Sequence, residues 1–420
     1  MTDLSKTTST SEESSENSSK KQTPIKLNRN FKLLKLQINS DVQSSSINQS
    51  EINLLQEELY KTMSILDTYY DNSKNKSEDI KNFSQILNLF DPFRSFKYKI
   101  SQSYHGQNVS SSWIKFWEII SEFKLIPISL NNESFITFDN ASLPGNIILV
   151  VNHYIKTLTN IKSHVWYACS NISDKINDPF KLIANYSTRW IMNKNVNGDI
   201  TNLENITYIK SNLQESIHLY TSDLTLDTPK NYNNQELEHA KSNLGQILLG
   251  IYLLKKGGNF IVKMYTFFTD FSQSLILYCS GQFENFYIVK PMTSKITNIE
   301  CYLVGIGFKG INDDISILET RLKTFNTDYI IPVKNKDIFN NSLKILYEPL
   351  ISSLKQSIVL YNDISGDFEE YYKKLKNDLK TQYTTITSKW LQSYPIKSLR
   401  QKDKINCTET LSSSSKIIYS

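Results

Sequence analysis

A mostly parallel α/β sheet flanked by helical regions is the fold class that the 420 residues predict. Three observations carry it. Short β-rich runs alternate with helical patterns between residues 135 and 306, as in consecutive βα units. Outside that stretch the apolar spacing is helical, at 51–70 and 112–123 and again through 311–400. Only nine residues, 291–299, separate a β-rich run that ends at Lys290 from the last one, which Glu300 opens. A parallel crossover needs a dozen or more, so the last strand is predicted to return antiparallel to its neighbour.

Taken in order, residues 1–24 are low-complexity Ser, Thr, Glu and Lys, and are expected to be a disordered tail. Residues 25–105 are assigned to an N-terminal helical region, 106–310 to the sheet domain, and 311–420 to a C-terminal helical extension with a flexible end. The predicted strands are 135–139, 165–168, 217–221, 260–265, 286–289 and 302–306. The first is followed by a turn at 140–146 and a helix at 147–157. The clearest helix is 234–256, with an apolar stripe of Leu244, Ile247, Leu248 and Ile251. Asn233 is its candidate N-cap, Glu236 can close a capping box, and Gly257 and Gly258 are expected to stop it.

Composition narrows the function classes. The four cysteines (Cys169, Cys279, Cys301, Cys407) include no C-x-x-C pair and the five histidines are scattered. Neither a disulfide scaffold nor a Cys or His metal centre is expected. No apolar run approaches the ~18 residues of a membrane span, and residues 1–23 lack the apolar stretch of a secretory signal. A soluble, cytoplasmic protein without a membrane partner is therefore expected. The net charge of +5 with 12% aromatic residues is compatible with a nucleic-acid partner. Only five of the 47 basic residues are arginine, and a solvated lysine surface gives the same balance, so composition leaves both readings open.

Three charges break the apolar strand pattern. Asp223 ends the run at 217–222, Lys263 interrupts 260–265, and Glu300 opens the last strand. Ligands of open α/β sheets bind outside the carboxyl ends of the strands. With the last strand reversed, its start lies at that same edge, so all three can converge on one site. A lysine there, desolvated but beside carboxylates, is suited to handling the proton of a weak acid such as a hydroxyl. Each charge singly is equally consistent with a strand-end lysine or acid reaching solvent.

The stretch Gly257-Gly258-Asn259-Phe260-Ile261-Val262-Lys263, followed by Lys290-Pro291-Met292-Thr293-Ser294-Lys295-Ile296-Thr297-Asn298-Ile299-Glu300, resembles the FtsJ/RrmJ-type ribose 2′-O-methyltransferases. The likeness is greatest to the mRNA-cap enzymes and the FtsJ-like proteins of large DNA viruses, and it covers about residues 90–310. It implies a Rossmann-like, S-adenosylmethionine-dependent methyltransferase sheet. It also implies a catalytic tetrad of Lys115 (in Ser110-Ser111-Ser112-Trp113-Ile114-Lys115), Asp223, Lys263 and Glu300. Asp139 through Asn146 stands where the family has its Asp-x-x-x-x-Pro-Gly-Gly cofactor loop, and Gly198-Asp199-Ile200-Thr201 matches the segment bordering the adenine. Asp139, Pro144, Gly145, Asn146 and Asp199 are thus the implied cofactor-binding residues. Asn146 replaces the second Gly of the loop, and Leu224-Thr225 stands where viral relatives have two glycines.

What the resemblance implies chemically is direct displacement: a ribose 2′-hydroxyl attacks the methyl of S-adenosylmethionine, with no metal ligand set. Lys263 acts as or assembles the base, Asp223 and Glu300 hold its geometry, and Lys115 steers the hydroxyl and a nearby phosphate. The implied partner is RNA, with the 5′ end of capped mRNA as acceptor and other capping or transcription proteins as associates. Two alternatives stand beside it, a catalytically degenerate fold serving as an RNA-binding scaffold and a ribosomal RNA methyltransferase.

Overall fold

The structure, a computed structural model, describes residues 27, 33–38, 48–130, 134–172, 178–226, 232–311, 314–334, 336–364 and 366–406. The expected tail at 1–24, Cys407 and the expected flexible end lie outside these residues.

Strand β1 (Leu34–Gln37) precedes four helices, α1 (Gln49–Tyr70), α2 (Ser77–Asn88), α3 (Phe96–Tyr104) and α4 (Ser111–Phe123). Then follow β2 (Phe135–Asn140), α5 (Asn146–Leu158), β3 (His164–Cys169), α6 (Leu182–Asn185), α7 (Leu203–Asn212), β4 (Ile217–Ser222), α8 (Tyr232–Leu253), β5 (Leu254–Met264), α9 (Asp270–Gly281), β6 (Phe283–Lys290) and β7 (Cys301–Phe308). Three helices close the described chain, α10 (Ser316–Lys323), α11 (Asp337–Asn362) and α12 (Phe368–Ser393).

The seven strands form one sheet in the order β1-β6-β7-β5-β4-β2-β3. β3, β2, β4 and β5 are parallel, while β7 inserts antiparallel between β5 and β6. The short 291–300 link therefore makes a hairpin, as its length requires, and the sheet is of the Rossmann-like type expected. One strand departs from expectation: Leu34–Gln37, within a region assigned as helical, pairs antiparallel with β6 and extends the sheet. Four residues of alternating half-buried and exposed side chains are too short for a periodic signal.

Apolar residues cover both faces of the sheet. Along β4 and β5 the side chains alternate: Tyr220, Phe260 and Val262 join one core cluster, Leu219 and Ile261 the other. Lys263 follows Val262 and so shares a face with Ile261, the face on which Trp113, Phe116 and Trp117 of α4 pack. The carrier helix α4 starts where Ser110 Oγ accepts the Trp113 amide at 3.1 Å, an N-cap bond.

The boundary of α8 also differs from expectation. The helix begins at Tyr232 and ends at Leu253, and β5 follows without a loop. Gly257, at φ +78°, thus bends the start of the strand instead of stopping the helix. The expected N-cap, Asn233, lies inside the helix, and Glu236 bonds to a distant loop. Its carboxylate accepts the amides of Phe268 at 2.8 Å and Thr269 at 2.9 Å, fastening α8 to the loop before α9.

Candidate active site

The four residues of the implied tetrad meet at the carboxyl edge of β4 and β5, beneath α4. β5 and β7 are in register with Lys263 opposite Tyr302 and Met264 opposite Cys301, so Glu300 sits one residue beyond the paired segment, beside Lys263. Lys115 Nζ donates to Glu300 Oε1 at 2.6 Å, and Lys263 Nζ lies 3.2 Å from Asp223 Oδ1. The Lys115, Glu300 and Lys263 side chains are each no more than 6% exposed, while that of Asp223 is 13% exposed and so faces the opening.

Each pair is held by neutral neighbours. Asp223 accepts the Ser112 hydroxyl at 2.5 Å and the Tyr302 hydroxyl at 3.0 Å. The Tyr302 ring lies 5.5 Å from Lys115 Nζ, so this one side chain touches both pairs. Glu300 also accepts Ser294 Oγ at 3.1 Å, and its amide donates to Asn298 Oδ1 at 3.1 Å. Lys290 Nζ donates to the carbonyls of Asn298 and Glu300, pinning the turn that presents the glutamate. Underneath, Gln246 of α8 accepts Ser222 Oγ at 2.7 Å and donates to the Lys263 carbonyl at 3.0 Å, locking the ends of β4 and β5 together.

Burial penalises both members of the tetrad whose pKa is shifted, and the charges around them overcome it. Burial raises Glu300, but Lys115, Lys290 and Lys263 bring its carboxyl down to about 2. Burial lowers Lys263, yet Asp223, Tyr265 and Glu300 leave its pKa above the ordinary lysine value. The balance between burial and neighbouring charge therefore falls on the charged side. The Lys263 ammonium spends its donors on the Asp223 carbonyl at 2.9 Å, on the Asp223 carboxylate and on Thr225 Oγ1 at 2.5 Å. The first two belong to the strand end. Thr225 is exposed, on the irregular segment that follows.

A buried glutamate that sequence reasoning passed over organises this wall. Glu118, one turn from Lys115 on α4, is fully buried. It accepts the Met292 amide at 2.6 Å, the Thr293 amide at 3.1 Å, Thr293 Oγ1 at 2.7 Å and Trp390 Nε1 of α12 at 3.2 Å. It thereby ties α4, the β6–β7 loop and the C-terminal extension into one block. Burial pushes its pKa up. The readable signal was an acid inside the otherwise apolar run Phe116–Ile120.

The implied cofactor residues gather at the ends of β2 and β3. The Ser142 amide donates to the Cys169 carbonyl at 3.0 Å and the Leu143 amide to Ser170 Oγ at 2.9 Å, so the 141–145 loop folds over β3. Pro144 is half-buried within it. Gly145 adopts φ +104°, and a Cβ there would stand 2.1 Å from Leu182 Cδ1, so glycine is required. Asn146 is the first residue of α5 and has no positive φ. The loop needs left-handed backbone at Gly145, not at Asn146, which explains why a side chain is accommodated at the second position.

Asp139 is fully buried and accepts Thr221 Oγ1 at 2.7 Å. Its Oδ2 makes no hydrogen bond of normal geometry among the described residues, although the Ser142 hydroxyl is beside it. Burial lifts the carboxyl to about 7. Asp199 sits past the end of β3, where Gly198, at φ +70°, packs against the Ser170 carbonyl. Its carboxylate accepts the Thr201 amide at 2.8 Å and the Thr201 hydroxyl at 3.0 Å, so it shapes its own turn. The two clusters, tetrad and loop, share the carboxyl edge and meet through Asn140 Nδ2, which donates to Ser222 Oγ at 2.9 Å.

Comparison with known proteins places the chain in a family. A family model described as FtsJ-like methyltransferase matches residues 108–308, a span that includes Lys115, Asp223, Lys263, Glu300 and the 139–146 loop. The "Probable methyltransferase EP424R" of African swine fever virus is 31% identical over 349 residues, 78% of this chain and 80% of its own length. "Uncharacterized protein L511" of Acanthamoeba polyphaga mimivirus is 30% identical over 315 residues, 71% of this chain and 39% of its own. "Cap-specific mRNA (nucleoside-2'-O-)-methyltransferase 2" of Mus musculus is 25% identical over 338 residues, covering 74% of this chain and 43% of the mouse protein. A family match over residues 108–308, joined to a viral relative aligned along most of both chains, establishes that this chain belongs to the FtsJ-like methyltransferase family.

Proposed function

We propose that the chain is an S-adenosylmethionine-dependent methyltransferase acting on the ribose 2′-hydroxyl at the 5′ end of capped mRNA. The observation that carries the reading is the pair of interlocked lysine–carboxylate contacts at the sheet edge, 2.6 and 3.2 Å long, with Lys263 facing an exposed hydroxyl. A binding module has no need for two buried lysines and two acids at one point. The relatives named for cap-specific 2′-O-methylation support the choice of acceptor.

The cofactor cradle fits a ligand carrying both an ammonium and a carboxylate. Asp139 offers a buried acceptor, Gly145 allows close backbone approach, and the first amides of α5 have no helical partner. Asp139, Gly145 and Asn146 would hold the methionine part and the Asp199 turn would border the adenine. When bound, the cofactor supplies a methyl group on a positively charged sulfur. The chain's own residues do the rest. Lys263 orients the acceptor hydroxyl by the donor now spent on Thr225, and Asp223, fixed by Ser112 and Tyr302, sets the direction of that ammonium. Lys263 is charged in the free protein, and a further positive charge nearby lowers its pKa, the direction that proton acceptance requires. Lys115, held by Glu300, places a second cation beside the reacting ribose.

The test is transfer from labelled cofactor to one RNA bearing either a cap or a 5′ triphosphate, followed by nucleotide mapping. Transfer should favour the capped RNA, with alkali resistance at the first or second nucleotide. Equal transfer to both, or an internal modified ribose, rejects the cap assignment.

A further inference from the structure

A cavity of about 730 Å³ opens between the N-terminal helices and the β6–β7 loop. Its wall carries Arg94, Lys97 and Lys295, together with Tyr70, Asp67 and Asp91. The three cations come from the α2–α3 link, α3 and the β6–β7 loop, so tertiary structure alone assembles them. Lys97 is only 9% exposed, yet its ammonium points along the site wall, donating to Ser111 Oγ at 2.9 Å. Ser111 and Lys115 are four residues apart on α4, on one face and about one 5.4 Å turn apart. Lys295 directly follows Ser294, which donates to Glu300. The cavity wall is thus joined to the tetrad by two separate routes.

The wall of this cavity carries more positive than negative charge. Burial lowers the pKa of both Lys97 and Lys295. Arg94 and Lys115 lower both further, and Lys295 lowers Lys97; Asp91 opposes the trend at both, and Glu300 at Lys295, without reversing it. Three cations against two acids, concave and next to Lys115, form a place where an anion relieves repulsion. A lysine turned to open solvent would gain nothing from such a position.

We propose that this cavity holds a phosphate of the acceptor RNA strand, next to the nucleotide whose ribose faces Lys263, through Arg94, Lys97 and Lys295. The proposal rests on reading the tetrad as the ribose-methylating centre. The phosphate contact sets the register of the strand over the tetrad and carries no sequence information.

The test uses the full chain and an uncapped, fluorescently labelled single-stranded RNA, with affinity measured from 50 to 200 mM salt. The Arg94→Gln/Lys295→Gln variant should lower the slope of log affinity against log salt by about 0.7, one single-strand phosphate contact. Over that range it should lose about threefold less affinity than wild type. Asp91→Asn, which removes a negative charge from the same wall, should tighten binding. Lys374→Gln, the same type of charge change on the exposed face of α12, should leave the slope unchanged. Thermal midpoints within a few degrees of wild type establish that each variant folds. An unchanged slope in the double variant, an equal fall in Lys374→Gln, or weakening by both Asp91→Asn and the double variant overturns the proposal. Methyl transfer by wild type is read separately. Transfer with an unchanged slope defeats the cavity assignment alone. A lowered slope without any RNA transfer leaves a phosphate site standing and defeats the reading of the tetrad.

Discussion

Glu300→Gln is the perturbation whose size the structure defines best. The glutamine keeps the shape and the Ser294 contact but leaves the Lys115 ammonium buried without its counter-charge. Two routes give the cost. Removing one partner of a buried ion pair typically costs about 3–5 kcal/mol. Independently, the Glu300 carboxyl lies at about 2 against an ordinary 4.5, and at about 1.4 kcal/mol per pH unit this amounts to about 3 kcal/mol. The sign follows from the direction of the shift. A depressed carboxyl contributes its full stability above the unfolded pKa and loses it as pH falls towards the folded value. Wild type should therefore exceed Glu300→Gln by about 3 kcal/mol at pH 7. The gap should narrow by about 1.4 kcal/mol per unit below pH 4.5 and close near pH 2. Urea unfolding at pH 7, 4 and 3, with the two proteins in parallel, reads that gap through the midpoints. A difference below about 1 kcal/mol at pH 7, or one that does not shrink between pH 4.5 and 3, would refute the claim that this pair is buried and charged.

Two further outcomes are expected at the site. Gly145→Ala should abolish saturable cofactor binding in titration calorimetry, because its Cβ meets Leu182 at 2.1 Å in a left-handed backbone; Asn146→Gly should bind within about threefold of wild type, since that position is ordinary helix. Lys263→Met should lose methyl transfer while binding cofactor normally, and Lys263→Arg should fail equally because a guanidinium cannot release its proton; substantial transfer by either would remove Lys263 from the mechanism.

How far the sequence could be read depended on how local each signal was. The core strands were legible because each is a compact run of β-branched and aromatic residues, and the hairpin because nine residues cannot make a crossover. β1 was not legible, since four residues pair only because β6 offers an open edge. Glu236 was read as a local cap but serves the distant amides of Phe268 and Thr269, a case of tertiary bonds winning over a local motif. At the site, Asp223, Lys263 and Glu300 stood out as charges in apolar strands. Ser112, Glu118 and Tyr302 did not, because nothing in their own neighbourhoods says which distant group they will meet.

The order of the six central strands, the reversal of the last strand and the identity of the charged residues at the sheet edge are properties of the chain as written. They follow from residue spacing, side-chain branching and loop length, all local quantities. The pairing of Lys115 with Glu300 and of Lys263 with Asp223, the charged state of Lys263 and the assembly of Arg94, Lys97 and Lys295 around one cavity are not. Those depend on which groups lie within a few ångströms through space and on how much water burial removes, and both are decided only when α4, the sheet and the terminal helices close on one another.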